Sequence, residues 1–189
     1  AQEKPAPEAV IRYTDFLCIG AQKAGTTWID RNLRHHPRLW LPPMKELQYF
    51  SELYLPRAQV WAPRQRRERG TQLLARYVRQ NRKVREWDFR LVARLADLAD
   101  GAIGDSWYGR IFTLAPPDSI CGEVTPDYCT LPKEALAHVL RLSPKIRIIF
   151  SMRDPIERSW SHIRMIARTK GIEDVSELEA LASLDDQIN

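Results

Sequence analysis

Short apolar runs alternate with longer amphipathic stretches along most of the chain. Residues 14–19, 119–124 and 146–151 are predicted to form core strands, and the first of them is too short and too apolar for an amphipathic helix. A shorter run at 38–41 predicts one more strand. Apolar strands that alternate with helices are typical of a parallel sheet covered on both faces. The predicted fold class is therefore α/β, a three-layer sandwich with a central parallel β-sheet.

The stretches between these runs have helical periodicity or helix-starting residues. The clearest is 86–98, where apolar residues stand at 87, 91, 92, 95 and 98. Residues 56–70 are rich in proline and arginine, and we expect them to form a solvated surface loop or else the rim of a site for acidic substrates. The predicted helices cover residues 26–34, 71–81, 86–98, 106–114, 132–142, 155–168 and 174–186.

The composition is that of a globular protein. The 189 residues suffice for one domain with a substantial core. Hydrophobic residues make up 44% of the chain and charged residues 28%, which is ordinary for such a domain. No apolar run approaches the roughly 20 residues of a membrane span, so no membrane partner is expected. We expect a flexible lead-in at residues 1–13 and a single domain at residues 14–189.

Charge and cysteine content limit the cofactors, partners and cellular location that we expect. A net charge of +5 suits an anionic cofactor or substrate. No nucleic-acid-binding module is recognisable, and no nucleic-acid partner is expected. The three cysteines form neither a disulfide framework nor a metal-ligand spacing, so we expect no metal and a reducing, cytoplasmic location. Cys18, within the first apolar run, is expected to be buried.

A phosphate-binding motif follows the first predicted strand. Four residues separate Gly20 from Gly25, and Thr26 and Thr27 then lead into the predicted helix. Glycines let the backbone approach a ligand, successive amides form a nest for anionic oxygens, and a helix N-terminus adds a favourable dipole. A nucleotide triphosphatase would carry lysine directly after the second glycine, but Thr26 stands there and the loop's lysine is Lys23. The motif therefore predicts an anion cradle without the usual β/γ-phosphate lysine.

A second anion site is predicted after the strand at 146–151. Arg153 stands at the strand end and Ser161 lies in the following helix, and a guanidinium with a hydroxyl suits a phosphate monoester. A nucleoside with phosphate groups at both ends would need both sites. Ligands of parallel sheets bind at the carboxyl ends of strands. That rule gathers the loops 20–27, 42–50, 124–128 and 151–155 at one edge.

The two motifs together resemble those of sulfotransferases that use 3′-phosphoadenosine 5′-phosphosulfate. Residues 22–27 (QKAGTT) are similar to that family's P-loop-like phosphosulfate-binding loop, and residues 153–161 (RDPIERSWS) to its 3′-phosphate motif. The resemblance spans about residues 14–168. It implies that the reaction uses this donor, needs no metal and leaves adenosine 3′,5′-bisphosphate as product. The acceptor would be a hydroxyl of a small molecule or saccharide. Because family members usually continue further, we expect the family's C-terminal part to be absent, and a carrier or multidomain context would fit the linker-like N-terminus.

The resemblance also implies roles for single residues. Lys23 and Glu46 would be catalytic: Lys23 stabilises the leaving phosphate, and Glu46 is the base in a Lys-Glu pair. Trp28 would stack on adenine. The donor-binding residues would be Gln22, Lys23, Ala24, Gly25, Thr26, Thr27, Trp28, Arg153 and Ser161. The acceptor side would be lined by Lys45, Tyr49, Phe50, Asp127 and Tyr128.

Elementary chemistry agrees with these two catalytic roles, since in-line sulfuryl transfer needs a base for the hydroxyl proton and positive charge near the departing oxygen. Two alternatives stay open. A P-loop kinase or nucleotide triphosphatase with a displaced lysine would require Mg²⁺ and prefer ATP. A catalytically inactive nucleotide-binding module would bind a nucleotide without transferring any group.

Overall fold

The computed structural model describes residues 11–81, 83 and 88–171. Residues 1–10 of the predicted lead-in, the start of the predicted helix 86–98 and the predicted helix 174–186 lie outside the described residues. The elements in chain order are β1 (Phe16–Gly20), α1 (Thr26–Leu33), β2 (Leu39–Trp40), α2 (Tyr49–Tyr54), α3 (Pro56–Gln80), α4 (Phe89–Asp100), α5 (Asp105–Phe112), β3 (Ile120–Val124), a 3₁₀ turn (Pro126–Thr130), α6 (Lys133–Leu142), β4 (Arg147–Phe150) and α7 (Pro155–Lys170).

The four strands form one sheet in the order β2-β3-β1-β4. Every neighbouring pair is parallel, and Leu17 of β1 lies between Glu123 of β3 and Ile148 of β4. The predicted parallel α/β sheet is thus confirmed. Because the strands are parallel, the loops that follow β1, β3 and β4 emerge at the same edge.

Helices cover both faces of this sheet, and β1 shows how. Successive side chains of a strand point to opposite faces. Phe16 and Cys18 pack with Ile29 and Leu33 of α1, and Cys18 is fully buried as predicted. Leu17 faces the larger cluster on the other side, which α2, α4, α5 and α6 fill largely with aromatic rings. The helix–sheet–helix arrangement accounts for three layers.

The prediction of a surface loop at residues 56–70 is wrong. These residues form the first half of α3, one 25-residue helix that continues through the predicted helix at 71–81. Pro56 occupies the first turn, where its missing N–H costs nothing. The buried positions recur every fourth residue, the spacing of one helix face, and are Ala58, Ala62, Arg66 and Gly70.

Close packing against α4 explains this buried stripe. A Cβ on Gly70 would lie 2.7 Å from the Cα of Ala99, so glycine lets the two helix backbones approach. Arg66 is buried as well, because its guanidinium pairs with Glu52, donates to the Gly101 carbonyl and lies 5.2 Å from the centre of a tryptophan ring. The charged side chain of Arg66 is therefore inside the protein, and α3 is part of the folded domain.

Candidate active site

A cavity of about 420 Å³ opens at the carboxyl edge of the sheet. Its walls come from the β1–α1 loop, the segment before α2, the 3₁₀ turn, the loop after β4 and one side of α7. They include residues from all four loops that the sequence gathers at one edge. The predicted site residues that line it are Gln22, Lys23, Gly25, Thr26, Thr27, Lys45, Glu46, Asp127, Arg153 and Ser161.

The β1–α1 loop is fixed by left-handed backbone and by contacts with the end of β4. Lys23 and Gly25 have φ of 63° and 85°. Ser151 donates from Oγ to the Ala24 carbonyl over 2.7 Å. Helix α1 begins at Thr26, and the first amides of any helix lack partners within it. The loop therefore presents unpaired N–H groups and the Lys23 ammonium beside the cavity, as anion binding requires.

Arg153 links this loop to α7. Its Nη1 donates to the Lys23 carbonyl over 3.2 Å, and its Nη2 pairs with Glu157 over 2.9 Å. Ser161 lies about one turn beyond Glu157 on α7 and lines the same cavity. The residues of the two predicted anion sites thus line one cavity.

Glu46 lies between two cations, its chain neighbour Lys45 and Arg69 of α3. Lys45 Nζ is 2.9 Å from Glu46 Oε1 and 3.2 Å from Thr27 Oγ1. Arg69 Nη1 is 3.3 Å from Glu46 Oε2. Glu46 also has a left-handed backbone, with φ of 61°, and its amide donates to the Val124 carbonyl. Both carboxylate oxygens are therefore held, with about a quarter of the side chain exposed (24%).

Sequence reasoning missed Arg69 as a partner of Glu46. The one indication in the sequence was the cluster of arginines in the segment 56–70, which could form a rim for acidic substrates. Recognising the contact requires knowing that this segment is a helix and that α3 crosses beside the Lys45–Glu46 pair. The structure supplies both facts.

A buried carboxylate supports the Glu46 segment from below. Glu123 of β3 is 1% exposed and accepts hydrogen bonds from Thr125, Tyr108 and Tyr128 over 2.6, 2.7 and 2.9 Å. It also accepts from the backbone amide of Leu47, the residue after Glu46. Burial raises the pKa of Glu123, against the opposing effect of these donors. This network ties the turn that carries Glu46 to the centre of the sheet.

Three aromatic residues predicted for the acceptor side lie in the core, which corrects that prediction. Tyr49, Phe50 and Tyr128 are at most 1% exposed. The Tyr49 ring stacks on Tyr108 with centroids 4.5 Å apart. The chain adopts a left-handed conformation at Gln48 just before α2, and this turn directs α2 into the core.

The remaining predicted residues differ in their placement. Asp127 is buried in the cavity wall, where Oδ1 accepts from Gln22 over 3.3 Å and from Arg57 over 3.1 Å. Ala24 is buried behind the loop. Trp28 lies on α1 with 69% of its surface exposed and does not line the cavity, so its stacking on adenine stays a prediction.

Two searches of the described residues add context. Across 11–81, 83 and 88–171, no group of three or more His, Cys, Asp or Glu side chains could hold a metal ion. In the same part of the chain, no helix has both the length and the apolar character needed to cross a membrane. Cys18 and Cys121 are buried free thiols, and Cys129 is an exposed one.

Comparison with known proteins finds a family model, a curated relative and a solved structure that match this chain. The model of the "Sulfotransferase family" matches residues 15–188. The membrane-associated sulfotransferase kil1 of Dictyostelium discoideum is 24% identical over 160 residues, which are 83% of this chain and 24% of that protein. A sulfotransferase structure from Alicyclobacillus acidocaldarius matches with a TM-score of 0.53 at 22% identity, over 94% of this chain and 59% of that one.

These matches differ in what they establish. The structural match, at 22% identity, shows the shared α/β fold alone. The chain spans about a quarter (24%) of the curated relative and about three-fifths (59%) of the solved structure. The family model, by contrast, runs through almost the whole sequence, including both anion-binding motifs and Glu46. The chain therefore belongs to the sulfotransferase family.

Proposed function

We propose that this domain transfers a sulfuryl group from 3′-phosphoadenosine 5′-phosphosulfate to a hydroxyl of a small-molecule or saccharide acceptor. One observation carries the proposal. Lys23, Glu46, Arg153 and Ser161 line a single cavity of about 420 Å³ beside the N-terminus of α1. A base, a cation for a leaving group and two anion-binding ends are the parts that this chemistry needs.

The side chains present fit a nucleoside with anionic groups at both ends. One end of the cavity has the first-turn amides of α1, the hydroxyls of Thr26 and Thr27, and the Lys23 ammonium. The other end has Arg153 and Ser161, a guanidinium and a hydroxyl suited to a phosphate monoester. We infer that the first end binds the 5′-phosphosulfate and the second end the 3′-phosphate.

When bound, the donor supplies a sulfuryl group whose bond to the phosphate oxygen breaks as the acceptor oxygen bonds to sulfur. Glu46 accepts the proton of the attacking hydroxyl. Lys23 places positive charge at the oxygen that the departing phosphate retains. Lys45 and Arg69 contact the two oxygens of Glu46 and hold the carboxylate in one orientation.

The alternatives have less support. Thr26 occupies the position at which a kinase or nucleotide triphosphatase of the P-loop class has its lysine. A nucleotide-binding module without catalysis would have no use for a carboxylate held between two cations at the cavity wall. A cytoplasmic location stays a prediction from the cysteine content, since the curated relative is named as membrane-associated.

Calorimetry on the 189-residue chain tests donor recognition first. We expect adenosine 3′,5′-bisphosphate to bind at least about tenfold more tightly than 5′-AMP, because the monophosphate leaves Arg153 and Ser161 without a ligand. Tighter binding of ATP with Mg²⁺ would favour the kinase. Transfer of radiolabelled sulfate to a panel of hydroxyl compounds then tests catalysis. Binding of the bisphosphate without transfer to any acceptor would favour the inactive module.

A further inference from the structure

A second cavity, of about 340 Å³, also opens beside Glu46, and most of its wall lies outside the proposed donor site. Thr27, Lys45 and Glu46 line both cavities, so the proposed base stands at their junction. We call the second cavity the α3 groove. Its own wall consists of Pro43, Met44, Arg69, Gln72, Leu73 and Arg76.

One face of α3 forms most of this wall. Positions 69, 72, 73 and 76 follow the i, i+3, i+4, i+7 spacing of a single helix face. Arg69 and Arg76 are seven residues apart, which corresponds to about 10 Å along a helix axis. The groove thus has a cation beside Glu46 and another about two turns further out, with the apolar side chains of Met44 and Leu73 also in its wall.

Neighbouring arginines of α3 are neutralised, but Arg76 is not. Arg64 pairs with Glu68, and Arg66 pairs with Glu52. Arg76 is exposed, and within the described residues no carboxylate pairs with it. Arg69 is 38% exposed and shares the single carboxylate of this wall, Glu46, with Lys45. The lining therefore has three cations against one anion.

We propose that the α3 groove binds the sulfuryl acceptor and that this acceptor is anionic. A hydroxyl of the acceptor lies at Glu46, and carboxylate or sulfate groups on the same molecule pair with Arg69 and Arg76. An acidic group that binds Arg69 also competes with Glu46 for that guanidinium, which leaves Oε2 of the base free for the hydroxyl proton. The inference rests on the proposed function for the reaction, but the binding of an acid in this groove can be measured on its own.

The test compares two oligosaccharides that differ only in charge. A hexasaccharide of alternating glucuronate and N-acetylglucosamine and its neutral methyl ester are titrated into the full chain, with and without adenosine 3′,5′-bisphosphate. We expect the acid to bind at least about tenfold more tightly than the ester, with affinity that falls as salt rises. Arg76→Gln should weaken binding of the acid about fivefold to tenfold and leave binding of the ester and of the bisphosphate unchanged.

Arg79→Gln is the matched control, because Arg79 is an exposed arginine of the same helix that does not line the groove. Equal binding of acid and ester, no binding of the acid, or an equal effect of Arg79→Gln would each overturn the inference. Because the acid is also titrated without the nucleotide, this result is separate from the donor test. A chain that binds the acid through Arg76 but fails to bind the bisphosphate would refute the proposed donor and leave the anionic groove standing.

Discussion

Arg153 donates a hydrogen bond from Nη1 to the backbone carbonyl of Lys23 over 3.2 Å, although the two residues are 130 positions apart. The contact joins the loop after β1 to the loop after β4, two adjacent parallel strands. The two motifs predicted to bind anions are therefore joined by a direct hydrogen bond. A group bound at the Arg153 end can influence the backbone that carries Lys23.

Arg153→Lys should separate charge from geometry. Lysine keeps the positive charge but lacks the planar fork that reaches a phosphate and the Lys23 carbonyl together. We expect affinity for adenosine 3′,5′-bisphosphate to fall about tenfold, with 5′-AMP affinity changed much less. Calorimetry measures both. Arg147→Lys, on the exposed part of β4, is the control, and an equal loss in that variant would contradict the role of Arg153.

Glu46→Gln should affect catalysis more than binding. Glutamine preserves the size of the side chain but cannot accept the hydroxyl proton, so turnover should fall by about 10²–10⁴. Bisphosphate affinity should stay within about twofold, because Arg153, Ser161 and the α1 amides are untouched. Sulfate transfer and calorimetry are measured on the same preparation. Full turnover in the variant would rule out Glu46 as the base.

Glu123 should make the free energy of unfolding depend on pH, in the direction that its raised pKa predicts. Its folded-state pKa is raised above 4.5 by burial, so the fold favours the protonated acid. Its contribution is fully present below that value and is lost as pH rises through the folded-state pKa. Unfolding free energies in urea, taken from pH 4.5 to 8, should therefore show wild type losing stability relative to Glu123→Gln as pH rises. The expected change is about 1.4 kcal/mol for each unit of raised pKa.

The control for this experiment is Glu134→Gln, which changes an exposed glutamate on α6. Its difference from wild type should show a much weaker trend over the same pH range. A wild-type protein that keeps or gains stability relative to Glu123→Gln as pH rises would contradict a raised pKa for Glu123.

Gly122→Ala should destabilise the sheet below the site. A Cβ at this position would lie 1.8 Å from Cζ of Phe16 on the neighbouring strand, so the ring must move within a packed layer. Overpacking of this kind costs about 1–3 kcal/mol of unfolding free energy. Urea denaturation measures the loss. Gly104→Ala is the matched control, because nothing lies within 4 Å of its added Cβ, and Phe16→Ala in the same chain should relieve the clash.

The course of α3 shows what a hydropathy pattern cannot predict. Ala58, Ala62 and Gly70 are buried because α4 packs directly on them. Small side chains have little apolar surface, so their stripe is hard to recognise in a segment rich in arginine and proline. The burial of Arg66 likewise depends on Glu52 and on a tryptophan ring contributed by α5.

Aromatic residues near the site show another limit of prediction from sequence, because residues expected to line the site are buried in the core. Tyr49 and Phe50 follow Glu46 closely, and their proximity in sequence suggested proximity to the acceptor. The left-handed turn at Gln48 instead directs them into the core. A single backbone conformation thus decides whether the neighbours of Glu46 face the cavity or the protein interior.

The sequence by itself determined the parallel sheet, the position of the loop at residues 20–27 after β1, and the approach of Lys23, Glu46, Arg153 and Ser161. These follow from local signals, since apolar runs specify buried strands and parallel strands end at one edge. The tertiary structure decided that Arg69 contacts Glu46 and that the α3 groove adjoins the cavity proposed to bind the donor. Both depend on the packing of α3 against α4, which is set by close backbone contacts between distant residues and has no signature within either segment.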